Sequence, residues 1–338
     1  MRIAQITPYY PPHMGGVEIH VKNLTKALSE RHEVDVVSSN SGDVVVPSID
    51  IPYSPIPVMK VDVRADIYHA HVPSPFFANL FRGKKPLVIT YHNDVVIPER
   101  VSGFRLPAFG SRIAEFVNEK IVRRILDEAD AIIATTHDYA LTSPILREYM
   151  DRVHVIPNGI WVDDFEYRRE KEDFLLYAGR LVEYKGLGTL ISALEGSDVR
   201  LVVAGDGEDR GRFEKLVEVK RVKAEFLGRV SYDTLKDLMS RAKALILPSK
   251  TRLEAFGIVL LEAMASGTPV IACNTPGVRF VARHGGFVFD SVEELRRIIE
   301  SLDDAVVRRM GRRGRRYAER HDWRMIAREV ERVYERIL

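Results

Sequence analysis

The sequence predicts an α/β protein made of two doubly wound domains, and three observations lead to this fold class. The chain has 338 residues, too many for one ordinary hydrophobic core and enough for two. Short apolar segments alternate with amphipathic helical patterns almost from end to end, which is typical of parallel βαβ units. The turn Pro-Asn-Gly at 157–159 separates the halves, because an apolar segment ends there and the next begins only at Phe174.

The apolar segments predict the strands of two parallel sheets. In the first half we expect strands at residues 3–7, 33–38, 67–70, 87–91, 131–134 and 153–156. In the second half we expect them at residues 174–178, 200–204, 224–227, 244–247 and 269–272. The clearest helices are expected at 17–29 and 111–126, and a proline-rich surface excursion at 47–57. The first domain should therefore cover residues 1–160, and the second should begin at residue 161.

Composition and charge exclude several classes of protein. The 50 basic and 48 acidic side chains give a formal net charge of +2, so the average charge says nothing about nucleic acid, which only local clustering could indicate. A single cysteine, Cys273, has no partner for a disulfide within the chain. The opening residues lack the features of a signal peptide, and the longest weakly charged stretch, 255–278, is interrupted by Glu262, glycines and prolines. We therefore predict a cytoplasmic protein without a membrane span or nucleic-acid partner.

The ends of the predicted strands carry the candidate binding residues, because ligands of an open parallel sheet bind beyond the carboxyl ends of its strands. After the first strand, the segment 8–16 ends in the pair Gly15-Gly16, directly before a predicted helix. Glycines let backbone amides approach a ligand closely, and a helix N-terminus favours an anion or an oxygen-rich group. An ordinary flexible loop is the alternative for this segment.

The strand at 174–178 is followed by two cations in a glycine-bounded segment. Arg180 and Lys185 suit a diphosphate, since a guanidinium fork and a mobile ammonium can share its oxygens. The next strand is followed by Gly205-Asp206-Gly207, which is close to a dinucleotide-binding fingerprint, but the third glycine falls one residue late. This near-match favours a dehydrogenase only weakly.

Two glutamates mark the segment after the strand at 244–247. Glu254 lies in a predicted loop, Gly257 opens an apolar helix, and Glu262 lies inside that helix among leucine, alanine and methionine. A carboxylate in so apolar a setting needs a partner, because an unpaired buried charge is costly. Sugar and ribose hydroxyls are suitable donors, and a structural salt bridge is the alternative for Glu262.

The segment from Glu254 to Glu262, Glu-Ala-Phe-Gly-Ile-Val-Leu-Leu-Glu followed by Ala-Met-Ala-Ser-Gly-Thr-Pro, resembles the hallmark of family 4 glycosyltransferases of the GT-B superfamily. Further matches extend over essentially the whole chain, at Gly15-Gly16-Val17-Glu18, Thr90-Tyr91-His92, Pro157-Asn158-Gly159, Gly179-Arg180 with Lys185-Gly186, Ala204-Gly205-Asp206-Gly207, Leu227-Gly228-Arg229-Val230, and Trp323 with Val333-Tyr334. The resemblance implies two Rossmann-like domains facing each other across a cleft. It also implies a second domain at 161–320 and a closing helix at 321–338 that packs back on the first.

The resemblance implies a retaining transferase that moves a hexose from a UDP- or GDP-linked donor to a hydroxyl acceptor, with no metal or other cofactor. Arg180 and Lys185 would hold the donor diphosphate and stabilise the leaving group in place of a metal. Glu254 would contact the transferring sugar, which His92 of the first domain would also approach, and Glu262 would bind the ribose. The remaining implied donor contacts are Gly16, Gly205, Gly228, Val230, Phe256, Gly257 and Ile258.

Three alternatives stay open at this point. His69 and His71 point to the same face of a strand and could bind a metal with His92 and Asp94, although histidines lining a sugar cleft are the simpler interpretation. A sugar-nucleotide 2-epimerase shares the architecture and nucleotide contacts, but not the combination of motifs around the two glutamates. A non-catalytic, nucleotide-binding partner subunit would normally lack one of the charged site residues, all of which are present here.

A basic and aromatic region predicts peripheral contact with an anionic membrane, which would suit a lipid-linked acceptor. The cations and apolar residues concerned are Arg112, Lys120, Arg123 and Arg124, with Phe104, Leu106, Pro107 and Phe109 before them. The segment Arg-Gly-Lys-Lys at 82–85 adds a second basic cluster. The alternative is that Phe104 and Phe109 are buried and that the cations only solubilise a helix. If the protein does not bind an anionic membrane, the acceptor is a soluble sugar or small molecule.

Overall fold

The computed structural model describes residues 1–13, 15–51, 54–96, 100–101, 104–105 and 108–338, with side chains for all of these except 100, 101, 104, 105 and 108. The chain forms two compact units. Unit 1 comprises Met1–Gly159 and Trp323–Leu338, and unit 2 comprises Ile160–Asp322. Within the described ranges, every helix is too short or too polar to cross a lipid bilayer.

Unit 1 contains a seven-stranded parallel sheet. The strands of unit 1, of which seven belong to this sheet, are β1 (Arg2–Ile6), β2 (Glu33–Ser38), β3 (Val44–Val45), β4 (Ser48–Ile49), β5 (Ile56–Pro57), β6 (Ile67–Val72), β7 (Leu87–Tyr91), β8 (Arg100–Val101), β9 (Phe104–Arg105), β10 (Ala131–Ala134) and β11 (Val153–Val155). The order in the sheet is β11-β10-β7-β6-β1-β2-β3, while β4–β5 and β8–β9 form small antiparallel pairs. The helices are α1 (Gly16–Leu28), α2 (Pro75–Leu80), α3 (Ala108–Glu128) and α4 (His137–Thr142).

Unit 2 contains a six-stranded parallel sheet. Its strands are β12 (Phe174–Ala178), β13 (Arg200–Ala204), β14 (Ala224–Gly228), β15 (Ala244–Leu247), β16 (Val270–Cys273) and β17 (Gly286–Phe289). Its helices are α5 (Leu187–Ala193), α6 (Arg210–Lys220), α7 (Tyr232–Arg241), α8 (Ile258–Ala265), α9 (Val278–Ala282), α10 (Val292–Glu300) and α11 (Asp304–Ala318). The order β14-β13-β12-β15-β16-β17 reverses direction between β12 and β15. Doubly wound sheets bind their ligands at such a switch point.

The sheet of unit 2 is covered on both faces, which explains its continuous apolar strands. Leu176 packs on one face with Leu260 and Met264 of α8. Its neighbour Leu175 packs on the opposite face with Leu190 of α5. Successive strand residues point to opposite faces, so strands that are buried on both faces show no alternation with polar residues.

The last helix, α12 (Trp323–Ile337), belongs to unit 1 and contacts α1. A β-carbon on Gly159 would lie 2.7 Å from the Trp323 ring, so only glycine fits against this helix. Glu331 of α12 forms an ion pair with Arg31 at 2.7 Å and accepts a hydrogen bond from the His32 Nε2 at 3.0 Å.

Each predicted strand lies within two residues of an observed one, and the strands that were not predicted are the two-residue strands β3, β4, β5, β8 and β9 and the four-residue strand β17. The sequence of β17, Gly-Phe-Val-Phe, is short and follows His284-Gly285, which in the sequence resembles a turn. Parallel pairing with β16, which aligns Ala272 with Val288, makes it a strand. The predicted excursion at 47–57 contains the small β4–β5 pair.

Candidate active site

The carboxyl edge of unit 2 brings Lys185 and Glu254 together at the switch point. Lys185 follows β12 and Glu254 follows β15, and the Lys185 Nζ lies 2.5 Å from the Glu254 Oε2. Burial opposes the charge on Lys185, but the neighbouring carboxylate outweighs it and raises the pKa of Lys185 above its ordinary value. Lys185 is therefore a fixed cation at neutral pH, with one carboxylate partner that a ligand could displace.

Arg180 adds a second cation beside this pair. It is exposed directly after β12, and its backbone carbonyl accepts a hydrogen bond from the Tyr177 hydroxyl at 2.9 Å. The positive charge of Arg180 opposes protonation of Lys185, so the two cations repel each other. A ligand with two negative phosphates would relieve this repulsion, which is the chemistry predicted for the pair.

Close backbone packing explains two of the glycines at this edge, Gly186 and Gly205. A β-carbon on Gly186 would lie 2.2 Å from the carbonyl oxygen of Pro248, so glycine is needed where the loops after β12 and β15 touch. A β-carbon on Gly205 would overlap the carbonyl oxygen of Gly179. The amide of Gly205 donates to the carbonyl of Gly228 at 2.8 Å. The predicted donor contacts Gly205 and Gly228 thus lie side by side and shape the edge.

The other predicted donor-contact residues differ in exposure and in whether their side chain or only their backbone is available to a ligand. Gly257 caps α8 with a φ of 75°, a conformation that favours glycine, and Ile258 opens the helix. Phe256 is buried in the core, so only its backbone is available, and Val230 is half-buried after β14. Gly16 begins α1 in unit 1, where a β-carbon would meet open space. Among the described residues of unit 1, no steric constraint therefore requires glycine at position 16.

Glu262 is buried in α8 and has a tyrosine as its partner. The Tyr232 hydroxyl donates to the Glu262 Oε1 at 2.8 Å, so the structure pairs this glutamate with a hydroxyl rather than with the cation of a salt bridge. Burial raises the pKa of Glu262, and the hydrogen bond from Tyr232 partly opposes that effect. Tyr232 was not predicted from the sequence, because Tyr232 and Glu262 are 30 positions apart and only the packing of α7 against α8 brings them together.

His92 follows β7 in unit 1 and is largely buried. Its Nε2 lies 3.0 Å from the Nδ1 of His71, and the ring of His20 packs edge-on against it. Burial, together with the neighbouring rings, lowers the pKa of His92 and of His71 well below the ordinary value. These rings are therefore neutral at physiological pH.

The metal set considered from the sequence does not assemble. Both ring nitrogens of His69 have partners, Tyr334 Oη and Thr90 Oγ1, each at 2.7 Å. Asp94 accepts a hydrogen bond from Ser143 Oγ at 2.5 Å. These contacts give His69 and Asp94 structural roles.

Among the described residues, one group of three has the composition of a metal site, namely His20, His71 and His92. Its ligand atoms lie within 4.8 Å of one another. Nitrogens bound tetrahedrally to zinc at about 2.0–2.1 Å stand about 3.4 Å apart. His71 and His92 instead share a hydrogen bond, so the geometry is that of a hydrogen-bonded cluster.

The basic residues predicted to face a membrane are mostly paired. Arg123 binds Glu119 at 2.9 Å and Glu148 at 2.6 Å, which corrects its assignment to the free cations of α3. The cluster at 82–85 is also neutralised, through the pairs Arg82–Glu128, Lys84–Asp62 and Lys85–Asp130. Leu106, Pro107 and the side chain of Phe104 lie outside the described residues.

Sequence comparison identifies both halves of the chain. Residues 14–164 match the family described as Glycosyltransferase Family 4, and residues 160–321 match Glycosyl transferases group 1. An uncharacterized glycosyltransferase of Methanocaldococcus jannaschii is 30% identical over 84% of this chain and 83% of its own length. The phosphatidyl-myo-inositol mannosyltransferase of Mycobacterium leprae is 29% identical over 100% of this chain and 97% of its own. The D-rhamnosyltransferase WbpZ of Pseudomonas aeruginosa is 31% identical over a match that covers 67% of this chain and 60% of its own length.

Solved structures share the fold. Sucrose-phosphate synthase of Thermosynechococcus elongatus has a TM-score of 0.77 at 23% identity, covering 99% of this chain and 98% of its own. Anabaena Alr3699/HepE in complex with UDP-glucose has a TM-score of 0.74 at 17% identity, covering 99% and 100%. The two family matches and the two parallel α/β sheets agree, and the chain belongs to the family 4 glycosyltransferases with the GT-B fold.

Proposed function

We propose that this glycosyltransferase moves a hexose from a UDP- or GDP-linked donor to a hydroxyl acceptor, with retention of the anomeric configuration and without a metal ion. The observation that carries the proposal is the Lys185–Glu254 pair at the switch point of unit 2, next to exposed Arg180. Two cations match the two negative charges of a bridging diphosphate. When the diphosphate binds Lys185 in place of Glu254, the Glu254 carboxylate can accept hydrogen bonds from sugar hydroxyls.

The pairing of Glu262 with Tyr232 supports a ribose contact in the same unit. A buried carboxylate has room for several hydrogen bonds, and Tyr232 supplies one of them, on Oε1. Ribose hydroxyls are donors of the right kind for the remaining acceptor sites. In this proposal Glu262 binds the nucleoside, while the Lys185–Glu254 pair acts on the diphosphate and sugar.

A panel of sugar nucleotides tests the function directly. One donor, UDP- or GDP-linked, should raise the melting temperature and release its nucleoside diphosphate when an acceptor is present. Proton NMR of the product should show the anomeric configuration of the donor. An isomerised sugar nucleotide without transfer would instead indicate a 2-epimerase, and binding without turnover would indicate a non-catalytic subunit.

The Tyr232→Phe substitution should shift the pH dependence of donor binding. Tyr232 lowers the pKa of Glu262 against the effect of burial, so its removal should raise that pKa further. Protonation removes an acceptor for the ribose, and donor affinity should therefore begin to fall at a higher pH in the variant than in the wild type. Calorimetric titrations at several pH values measure this, with Tyr167→Phe, a half-exposed tyrosine of unit 2, as the control.

Superimposable pH profiles for Tyr232→Phe and the wild type would contradict the ribose assignment of Glu262. A uniform loss of affinity at every pH would point instead to a direct contact between Tyr232 and the donor.

A membrane-bound acceptor is the second part of the proposal, and an exposed apolar face of α3 supports it. Phe109 is 78% exposed and Phe116 is 56% exposed, and Ile113 and Val117 are exposed with them. Spacings of four, three and one residues put all four on one side of a helix. The Lys120 Nζ lies 4.5 Å from the centre of the Phe116 ring, so a cation accompanies the apolar residues.

The exposed cations Arg112, Lys120 and Arg124 complement this face. Aromatic residues beside cations suit an anionic membrane surface, where each charge contributes about 1 kcal/mol. The mycobacterial relative is named for a lipid acceptor, phosphatidyl-myo-inositol, and matches over the whole chain. We therefore propose an acceptor that is carried by, or lies at, an anionic membrane.

Cosedimentation with vesicles tests this proposal. The protein should bind phosphatidylglycerol vesicles at low salt, bind pure phosphatidylcholine vesicles less, and be released as salt rises. Removing two charges with Lys120→Gln and Arg124→Gln should weaken vesicle binding about thirtyfold, the equivalent of about 2 kcal/mol. The control Lys84→Gln with Lys85→Gln removes two cations that already have acidic partners and should change little. If the wild type ignores anionic vesicles at low salt, the acceptor is soluble.

A further inference from the structure

A buried chain of hydrogen bonds in unit 1 ends at His92 and begins at Gln5 in the middle of β1. The Gln5 Oε1 lies 2.7 Å from the His71 Nε2, and the His71 Nδ1 lies 3.0 Å from the His92 Nε2. All three side chains are buried, and β1, β6 and β7 are adjacent in the sheet. A fully buried glutamine costs free energy unless its amide is hydrogen-bonded, so this contact is a central part of its role.

The chain has a direction, because a neutral imidazole has one nitrogen that donates and one that accepts. The Gln5 Oε1 can only accept, so the His71 Nε2 carries the proton and donates. The His71 Nδ1 is then an acceptor, and the His92 Nε2 must donate to it. This leaves the Nδ1 of His92 without a proton.

The other end of the Gln5 amide is held by a second set of contacts. Its Nε2 donates to the Tyr334 Oη at 3.4 Å and lies 3.3 Å from the His69 Nδ1. The Tyr334 Oη donates to the same His69 nitrogen at 2.7 Å, and the His69 Nε2 donates to the Thr90 Oγ1 at 2.7 Å. The Gln5 amide, the Tyr334 hydroxyl and the His69 Nε2 each meet an acceptor when the carbonyl of Gln5 faces His71. Tyr334 of the C-terminal helix thereby takes part in orienting the amide.

We propose that Gln5 is a positioning residue that sets the tautomer of His92, so that His92 offers its unprotonated Nδ1 to a ligand as a hydrogen-bond acceptor. The class of this ligand rests on the proposed function, in which both donor and acceptor present hydroxyl groups. An acceptor nitrogen binds a hydroxyl, which donates, and repels a carboxylate, which only accepts. The network therefore favours a neutral hexose over a uronic acid at this position.

Histidine NMR tests the tautomer without any need for activity. The protein labelled with ¹⁵N-histidine should show His71 and His92 protonated at Nε2 in long-range proton–nitrogen correlations, assigned with His71→Asn and His92→Asn. Gln5→Met removes the acceptor for the His71 Nε2, and a population of His92 protonated at Nδ1 should appear. A wild-type His92 protonated at Nδ1, or an unchanged tautomer in Gln5→Met, would overturn the proposal.

Two further variants separate the tautomer from general effects on folding. Gln5→Glu keeps an acceptor toward His71, and the wild-type tautomer of His92 should persist even if Gln5→Met is poorly folded. Thr90→Val removes the acceptor for the His69 Nε2 on the other branch and should leave His92 unchanged. A change at His92 in Thr90→Val as large as that in Gln5→Met would mean that packing, rather than the Gln5 carbonyl, sets the tautomer.

Kinetics provides the second readout. Gln5→Met should lower kcat about tenfold, the scale for one misdirected hydrogen bond, with little change in the KM for the donor. Its inhibition by the matching nucleotide-linked uronic acid should become stronger relative to wild type. A transferase that is inactive with every donor would contradict the proposed function but leave the tautomer result standing.

Discussion

Lys185→Ala should slow sugar transfer about a hundredfold or more, and Arg180→Ala should do the same. Each substitution removes one preorganised positive charge from the position where the leaving diphosphate gains charge, which is worth about 3 kcal/mol. Lys185 is held at the switch point by Glu254, and its raised pKa keeps it charged. Initial rates of nucleoside diphosphate release at saturating donor give the effect on kcat.

Lys220→Ala is a matched control, because Lys220 is a lysine of unit 2 that pairs with a glutamate, Glu195, on the surface. It should retain wild-type activity. The same assay with a chelator should also show full activity, since the two cations are proposed to do the work of a metal. A strict requirement for Mn²⁺ or Mg²⁺ would contradict that role.

Glu262→Ala and Glu254→Ala should have different kinetic effects. Glu262→Ala should weaken donor binding about tenfold or more, the scale for losing hydrogen bonds to a charged group, about 1.5–3 kcal/mol. Glu254→Ala should mainly lower turnover, because Glu254 lies in the loop beside Lys185 and is proposed to contact the sugar. Calorimetric donor affinities and steady-state rates separate the two effects.

The control for both is Glu225→Ala, which removes an exposed glutamate of β14 that pairs with Arg200. It should leave affinity and rate unchanged. Wild-type donor affinity in Glu262→Ala would exclude the ribose assignment. The Glu254→Ala and Lys185→Ala effects should not add in a double mutant, because each substitution removes the other residue's partner.

Much of the site was predictable because its signals are local in the sequence. Lys185 and Glu254 each lie in the segment that follows an apolar strand, seven residues beyond its end, and parallel strands bring such segments to a common edge. Glu262 was recognisable as a carboxylate in an apolar helix. In each case the evidence lies within a few residues of the functional group.

The side-chain contacts that could not be predicted from the sequence lie between segments that are far apart in the chain. Tyr232 meets Glu262 only because α7 packs against α8, and Gln5 meets His71 only because β1 and β6 are neighbours in the sheet. The cations on α3 and at 82–85 show no acidic partner in the sequence, yet most of them form ion pairs with acidic residues from other parts of the chain. Composition cannot reveal such pairs, since it counts charges without their distances.

The sequence by itself determined the fold class, eleven of the strands and the edge that holds the candidate site. Hydrophobic periodicity and glycine-rich strand ends are local properties, so they can be read without coordinates. The tertiary structure alone decided which groups touch: the ion pair of Lys185 with Glu254, the partner of Glu262 and the direction of the hydrogen bonds from Gln5 to His92. Those contacts depend on strand order and helix packing, which bring residues 21 to 69 positions apart to within 3.0 Å.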